Sequence, residues 1–439
     1  MDILIKILQL LLSLSILVIF HELGHFIAAR IFKTRVEKFY LFFNPWFSLF
    51  KIRKGETEYG MGWLPLGGYV KIAGMIDESM DLEQMKKPPQ PWEFRSKPAW
   101  QRLIIMLGGV TVNILLAILI YIVMLSFWGE QYLPASAVKY GITVDSVGYQ
   151  IGLRNGDKII SLDHKTVDDF MDIPKTIILE EAKTIQIERD GRDTTLWVPE
   201  KMISILIHYK SADFISVRIP FVVRDFVQGS AAKKAGILIN DQIIGLNDSL
   251  YPYFDQFKTE LQHHKNRQVT VRVIRDKDSL NVPVLVPETG LIGVYPQPPI
   301  HYLEFREKHY NIFTAIQAGF IRTWEGAGNY LKSIKLIFSQ EKAYESVGGF
   351  ISIGNIFPSS WNWQAFWSLT AFLSIMLAIL NILPIPALDG GHVMFLLYEI
   401  IVRRKPSERF LEYAQYVGMA LLLGLLIFAN ANDIIKLFK

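Results

Sequence analysis

The chain has 439 residues, 51% of them hydrophobic and 20% charged, with a formal net charge of +4. So small a positive balance, with no basic stripe interleaved with aromatics, excludes a nucleic-acid partner, while a mean hydropathy of +0.24 points to a membrane protein. There is no cysteine, which rules out disulfides and leaves only nitrogen and oxygen donors for a metal.

From Ile3 to about Ala29 the chain is apolar over a length that crosses a hydrocarbon layer of roughly 30 Å. A secretory signal has a shorter apolar core and a small-residue cleavage site. This stretch runs instead into His21-Glu22-Leu23-Gly24-His25, and residues 1–33 are expected to stay as the first span. Positions i and i+4 share a helix face, so His21 and His25 can reach one zinc ion. Glu22 is then placed to act as general base toward the attacking water. Ionisable groups so crowded in a span are costly in lipid, which marks them as functional.

Residues 34–101 form a segment expected on the cytoplasmic side. Within it, Leu64-Pro-Leu-Gly67-Gly68-Tyr69-Val70-Lys-Ile72 reads as a hairpin about 61–74, able to dip into the bilayer where protein covers it. Residues 102–128 make the second span, apolar from Leu103 to Phe127. Two strand-rich domains follow, at 129–205 and 206–300. Gly152-Leu-Arg-Asn-Gly-Asp157-Lys-Ile-Ile160 lines up with Gly236-Ile-Leu-Ile-Asn-Asp241-Gln-Ile-Ile244, and β-branched strands recur at Thr184–Glu188 and Val269–Ile274.

In the region 301–345, apolar residues from Ile312 to Phe338 recur at helical spacing over Asn311–Ser339. Lys332 and Lys335 come too early for a further span, so this helix is expected to lie on the membrane or brace the outer domains. Residues 346–395 hold the third span, Phe366 to Leu383, which leads into Asn381-Ile-Leu-Pro384-Ile-Pro386-Ala-Leu-Asp389-Gly390-Gly391-His392. Pro384 and Pro386 break the helix, and Asp389 precedes a Gly-Gly turn. Two histidines leave a catalytic zinc one protein ligand short. Spacing favours Asp389 for the vacancy and leaves His392 open. Residues 396–439 supply a basic loop and the fourth span, Ala414 to Phe428.

Basic residues orient the spans. Arg30, Lys33, Arg35 and Lys38 follow the first, Arg95, Lys97 and Arg102 precede the second, and Arg403, Arg404, Lys405 and Arg409 separate the last two. All three clusters fall on one side, expected to be the cytoplasm, so both termini and the stretch from about Gly129 to Pro358 are expected outside.

His-Glu-x-x-His in the first span, with Asn-x-x-Pro-x-Pro-x-Leu-Asp-Gly in a late one, resembles the site-2 protease family of intramembrane zinc metalloproteases. The two outer domains resemble the tandem PDZ domains of its bacterial group, and Pro65-Leu-Gly67-Gly68-Tyr69-Val70 matches as well. The resemblance implies a polytopic α-helical membrane protein with four transmembrane helices, a membrane-reentrant β-hairpin and two extracytoplasmic PDZ-like domains, in the bacterial inner membrane. It implies one Zn2+ per chain held by His21, His25 and Asp389, with Glu22 as base. Asn381, Pro384 and Pro386 would help hold substrate, and Gly67, Gly68, Tyr69 and Val70 would pair with it. Substrates would be single-pass membrane proteins, such as anti-sigma factors or remnant signal peptides, cut after a first cleavage outside, and the PDZ-like domains would bind peptides or filter by size. Asn113, in Gly108-Gly-Val-Thr-Val-Asn113, matches the family's Gly-Pro-x-x-Asn only in part because Val110 replaces the proline, and Asn44-Pro45 departs from a glycine-rich stretch. Two other readings remain, a membrane scaffold that binds no zinc and an ion or metal transporter. The scaffold predicts unchanged function after Glu22→Gln, and the transporter gives no reason for a Gly-Gly hairpin beside the spans.

Overall fold

The computed structural model describes residues 2–65, 67–75, 88–208, 214–340 and 343–438. The chain forms two compact units, one of Met1–Gly129, His309–Lys335 and Val347–Lys439, the other of Glu130–Lys308 and Leu336–Ser346.

The first unit is built on α1 (Asp2–Ile31), α2 (Ala99–Trp128), α3 (Ile312–Ser339, as far as Lys335), α4 (Trp363–Ile382), α5 (Asp389–Val402) and α6 (Glu408–Leu437). Of these, α1, α2, α4 and α6 are long and apolar enough to cross a membrane, at the places expected of the four spans. Their burial inverts that of a water-soluble helix. On α1 the buried stripe is Gln9, Ser13, Leu17, His21, Gly24, His25 and Ala28, whereas Ile3, Leu4, Leu8, Phe20 and Ile27 are exposed. Polar groups in lipid must find partners inside the protein. Ser13 and Thr370 join hydroxyls at 3.0 Å, Gln9 Nε2 donates to the Pro358 carbonyl at 2.8 Å, and Ser374 Oγ donates to the Asn113 carbonyl at 2.7 Å. Where α1 crosses α2, Gly24 faces Gly108, and a Cβ on Gly24 would lie 2.2 Å from the Gly108 carbonyl oxygen. Glycines permit this approach, which brings two helix backbones into contact.

Between α1 and α2 lies a sheet of β1 (Val36–Leu41), β2 (Phe50–Lys54), β3 (Thr57–Met61) and β4 (Tyr69–Ile72), in the order β2-β3-β1-β4. The hairpin expected about 61–74 is not formed. Leu64 bridges Phe43, and β4 runs antiparallel to β1 with Phe39 opposite Val70 and Tyr40 opposite Tyr69. The flanks of the Gly67-Gly68 corner thus pair with a strand far back in the chain, because a local hairpin would leave that side of β1 without hydrogen-bond partners. Leu66, within the expected hairpin, lies outside the described residues.

A second correction concerns Gly390 and Gly391, which belong to the first turn of α5 and make no separate turn. A Cβ at either would meet backbone of Ile382–Pro386 within 2.6 Å, so the glycines let α5 start directly against the preceding loop. Since α5 continues to Val402, the expected boundary at 395 cuts through a helix.

The second unit repeats one design. Arg189, on the strand Thr184–Arg189, forks onto Asp157 (2.7 and 2.8 Å) and reaches the Gly152 carbonyl at 2.8 Å. Arg275, on the strand Gln268–Arg275, does the same to Asp241 and the Gly236 carbonyl. Asp157 and Asp241 are both 1% exposed. Two separate cores result, one around Ile142, Leu153, Ile185 and Ile187, the other around Val223, Ile243, Val271 and Val284. The expected boundary at 205 falls inside the helix Glu200–His208, whose Met202, Ile203 and Leu206 belong to the first core. The strand Ile215–Val217 also stays with the first module, pairing antiparallel with Ile142–Val144. Pairing between strands so distant in sequence leaves no local signal.

Candidate metal centre

Helix α1 presents His21 and His25 one turn apart, on the stripe that faces α2 and α4. The His25 ring is fixed by its Nδ1, which donates to the Ile105 carbonyl of α2 at 2.9 Å. Its Nε2 therefore carries the lone pair and points inward. That Nε2 lies 3.3 Å from His21 Nε2, and each is 3.2 Å from Oδ2 of Asp389, at the start of α5. A tetrahedral zinc with nitrogen and oxygen ligands at about 2.0–2.2 Å would hold them roughly 3.3–3.5 Å apart. The three donors already have this spacing. Asp389 Oδ2 is buried with no hydrogen-bond partner among the described residues, although it faces two ring nitrogens. Three converging lone-pair atoms, one of them this orphaned oxygen, fit a bound cation. Among the described residues these three form the one group close enough to do so.

The position of Asp389 follows from the break that precedes it. Helix α4 stops at Ile382, and Leu383–Leu388 make a short irregular turn in which Ala387 takes a positive φ of 78°. Helix α5 then begins at Asp389, whose carboxylate favours a helix N-terminus. At the far end of α5, Glu399 is paired with Arg102 of α2, both side chains nearly buried.

A cavity of about 860 Å³ opens beside the three donors. Glu22, Asn381 and His392 line it, together with Gly67, Gly68, Tyr69 and Val70 of the sheet. Asn381 Nδ2 sits 3.3 Å from His21 Nε2. The backbone N–H of Val70 faces the Glu22 carboxyl, and Gly68 gives Glu22 room, since a Cβ there would meet its Cγ at 3.5 Å. Strand β4 is the last in its sheet, so one edge pairs with β1 while the other borders the cavity. Tyr69 is held by a stack against Tyr40 and Phe43 and by its hydroxyl, which donates to Asn44 at 2.9 Å.

Not every expected residue arrives there. Pro384 and Pro386 stay outside the cavity lining. Pro386 is covered by Gly391 and by Gly418 of α6, so its part is to shape the loop that delivers Asp389. His392 lines the cavity one turn beyond Asp389 but is not among the three converging groups. Gln415 of α6 was overlooked in the sequence. It is 5% exposed and lines the same cavity, and its signal is a lone amide near the start of an otherwise apolar span.

The sequence profile of peptidase family M50 matches residues 9–425. The chain is 29% identical to the regulator of sigma E protease of Haemophilus influenzae, over 97% of this chain and 98% of that protein. It is 28% identical to a Campylobacter jejuni protein whose name includes "zinc metalloprotease", over 99% of this chain and 94% of that one. With protease RseP of Yersinia pestis it shares 26% identity, over 100% of each.

Proposed function

The chain belongs to peptidase family M50, and from that premise we propose that it cuts membrane-spanning segments of single-pass proteins at a zinc ion held by His21, His25 and Asp389. It is an intramembrane zinc metalloprotease of the site-2 type. The observation that carries the residue assignment is the convergence of the two Nε2 atoms, on a helix long and apolar enough to cross a membrane, with Asp389 Oδ2 at the start of α5, beside a cavity of about 860 Å³.

When bound, zinc supplies a Lewis acid that polarises the scissile carbonyl and lowers the pKa of water. Glu22, at the cavity wall beside His21, accepts the proton of the attacking water and returns it to the departing amine. Asn381 lines the cavity with its Nδ2 beside His21 Nε2, and with that lone pair given to the metal its amide N–H is left to donate to the substrate carbonyl. A scissile bond inside a helix is inaccessible until the helix unwinds, and in lipid each freed backbone group costs several kcal/mol. The cavity-side edge made by Gly67, Gly68 and the start of β4 offsets that cost by adding the unwound segment as a further strand. On this reading the sheet is a membrane-reentrant element.

The basic clusters support an orientation with β1–β4 toward the cytoplasm and with both termini and residues 130–308 outside, in the inner membrane of a bacterium. The two modules with their paired Arg–Asp forks are read as PDZ-like domains, which exclude bulky outer domains or bind peptides. Helix α3 is read as an amphipathic brace.

The deciding experiment measures zinc content and cleavage of a transmembrane reporter by the purified wild type and Glu22→Gln. Wild type is expected to hold one zinc per chain, and Glu22→Gln to keep it while cleavage falls by about 10²–10⁴-fold. Equal cleavage by both proteins would overturn the assignment.

A further inference from the structure

Asn113 lies in the middle of α2, an amide in an apolar helix with 0% of its surface exposed. Its backbone carbonyl is occupied by Ser374 Oγ. Its side chain approaches Nδ1 of His21, with Nδ2 at 3.2 Å, and its Oδ1 is buried with no partner among the described residues. The orphaned oxygen and the contact with a candidate ligand belong to the same group.

The two histidines can be compared directly. A carbonyl oxygen only accepts, so Ile105 fixes His25 as the tautomer with hydrogen on Nδ1 and a lone pair on Nε2. For its Nε2 to face a cation beside Asp389, His21 needs the same tautomer, and its Nδ1–H then needs an acceptor. Asn113 is the group in reach, but an Nδ2 turned toward Nδ1 would be donor against donor. The two ends of an amide have nearly the same shape and are placed by their hydrogen bonds. Exchanging them sets Oδ1 against Nδ1–H and takes the oxygen out of its unpartnered position.

We infer that Asn113 is the positioning residue of His21, accepting the Nδ1–H through Oδ1 and so holding the Nε2 lone pair toward the metal. This rests on the zinc reading above. Partners of this kind orient a ligand ring and raise its basicity. The acceptor for His25 is a backbone carbonyl beyond the reach of substitution, so Asn113 is the one of the two that mutagenesis can test.

The experiment measures zinc affinity by chelator competition in the intact protein, with cobalt(II) absorption as a readout of ligand geometry that does not depend on turnover. Asn113→Leu is expected to weaken zinc by about 10–100-fold and to change the cobalt spectrum. Asn113→Asp, which keeps an acceptor at that place, is expected to retain both. Ser374→Ala removes the bond to the Asn113 backbone without touching the imidazole, so it is expected to lower the melting temperature and leave affinity unchanged. Asn113→Ala adds no bulk and carries the test if the leucine variant does not fold. Wild-type affinity and cobalt spectrum in the folded leucine or alanine variant would overturn the proposal. Wild-type protein that binds no zinc would instead overturn the reading on which it rests.

Discussion

The crossing of α1 over α2 sets the position of both histidines, and Gly24→Ala perturbs it at its tightest point. The added Cβ would lie 2.2 Å from the Gly108 carbonyl oxygen, 2.5 Å from its carbon and 2.8 Å from the Gly109 nitrogen. All three are backbone atoms within a helix, so no side chain can turn aside. Ordinary contact begins at 3.4 Å, which leaves the helices about 1.2 Å too close. The strain itself is expected to cost about 1–3 kcal/mol. The larger consequence is functional, because His21 and His25 ride on α1 while α5 carries Asp389. Separation by about 1 Å exceeds the roughly 0.2 Å that a metal site tolerates, and a misplacement of that size costs on the order of 10²-fold in rate. The assay is zinc content and cleavage of a transmembrane reporter by purified Gly24→Ala, with Gly424→Ala as control. A Cβ on Gly424 meets nothing within 4 Å among the described residues, so that variant should match the wild type in both measurements. Gly24→Ala with wild-type zinc and cleavage would refute the reasoning, since the crossing would then not fix the donors.

Two further outcomes are expected. The strands Glu130–Tyr132 and Arg306–Lys308 already pair, with Tyr132 opposite Arg306, so residues 133–305 can be replaced by a short glycine linker. The shortened enzyme should cut substrates that still carry a bulky outer domain, and continued resistance of those substrates would end the size-filter reading. Arg189→Met strips the buried Asp157 of its partner. The cost should be about 2–3 kcal/mol, below the roughly 3–5 of a fully buried pair because the guanidinium side chain is 32% exposed. Hydrogen exchange should accelerate in Thr184–Arg189 but not in Gln268–Arg275, which serves as the internal reference.

What the sequence determined by itself was local. Hydropathy over some twenty residues located the spans, and helical spacing placed His21 and His25 on one face with Glu22 beside them, because both properties depend on near neighbours along the chain. The two prolines likewise announced a break after α4. What only the tertiary structure decided was every pairing between distant segments. Asp389 and His392 were open alternatives for the third donor, and the packing of α5 brought Asp389, not His392, within 3.2 Å of both ring nitrogens. Strand β4 was expected to fold back on its own hairpin but joined β1, because backbone groups take whichever partner the whole fold supplies. The strand Ile215–Val217 crossed its expected domain boundary for the same reason. Gln415 and the contact between Asn113 and His21 had no local period to betray them. They depend on helices that meet only after the chain has folded, and they surround the residues that the sequence had already made conspicuous.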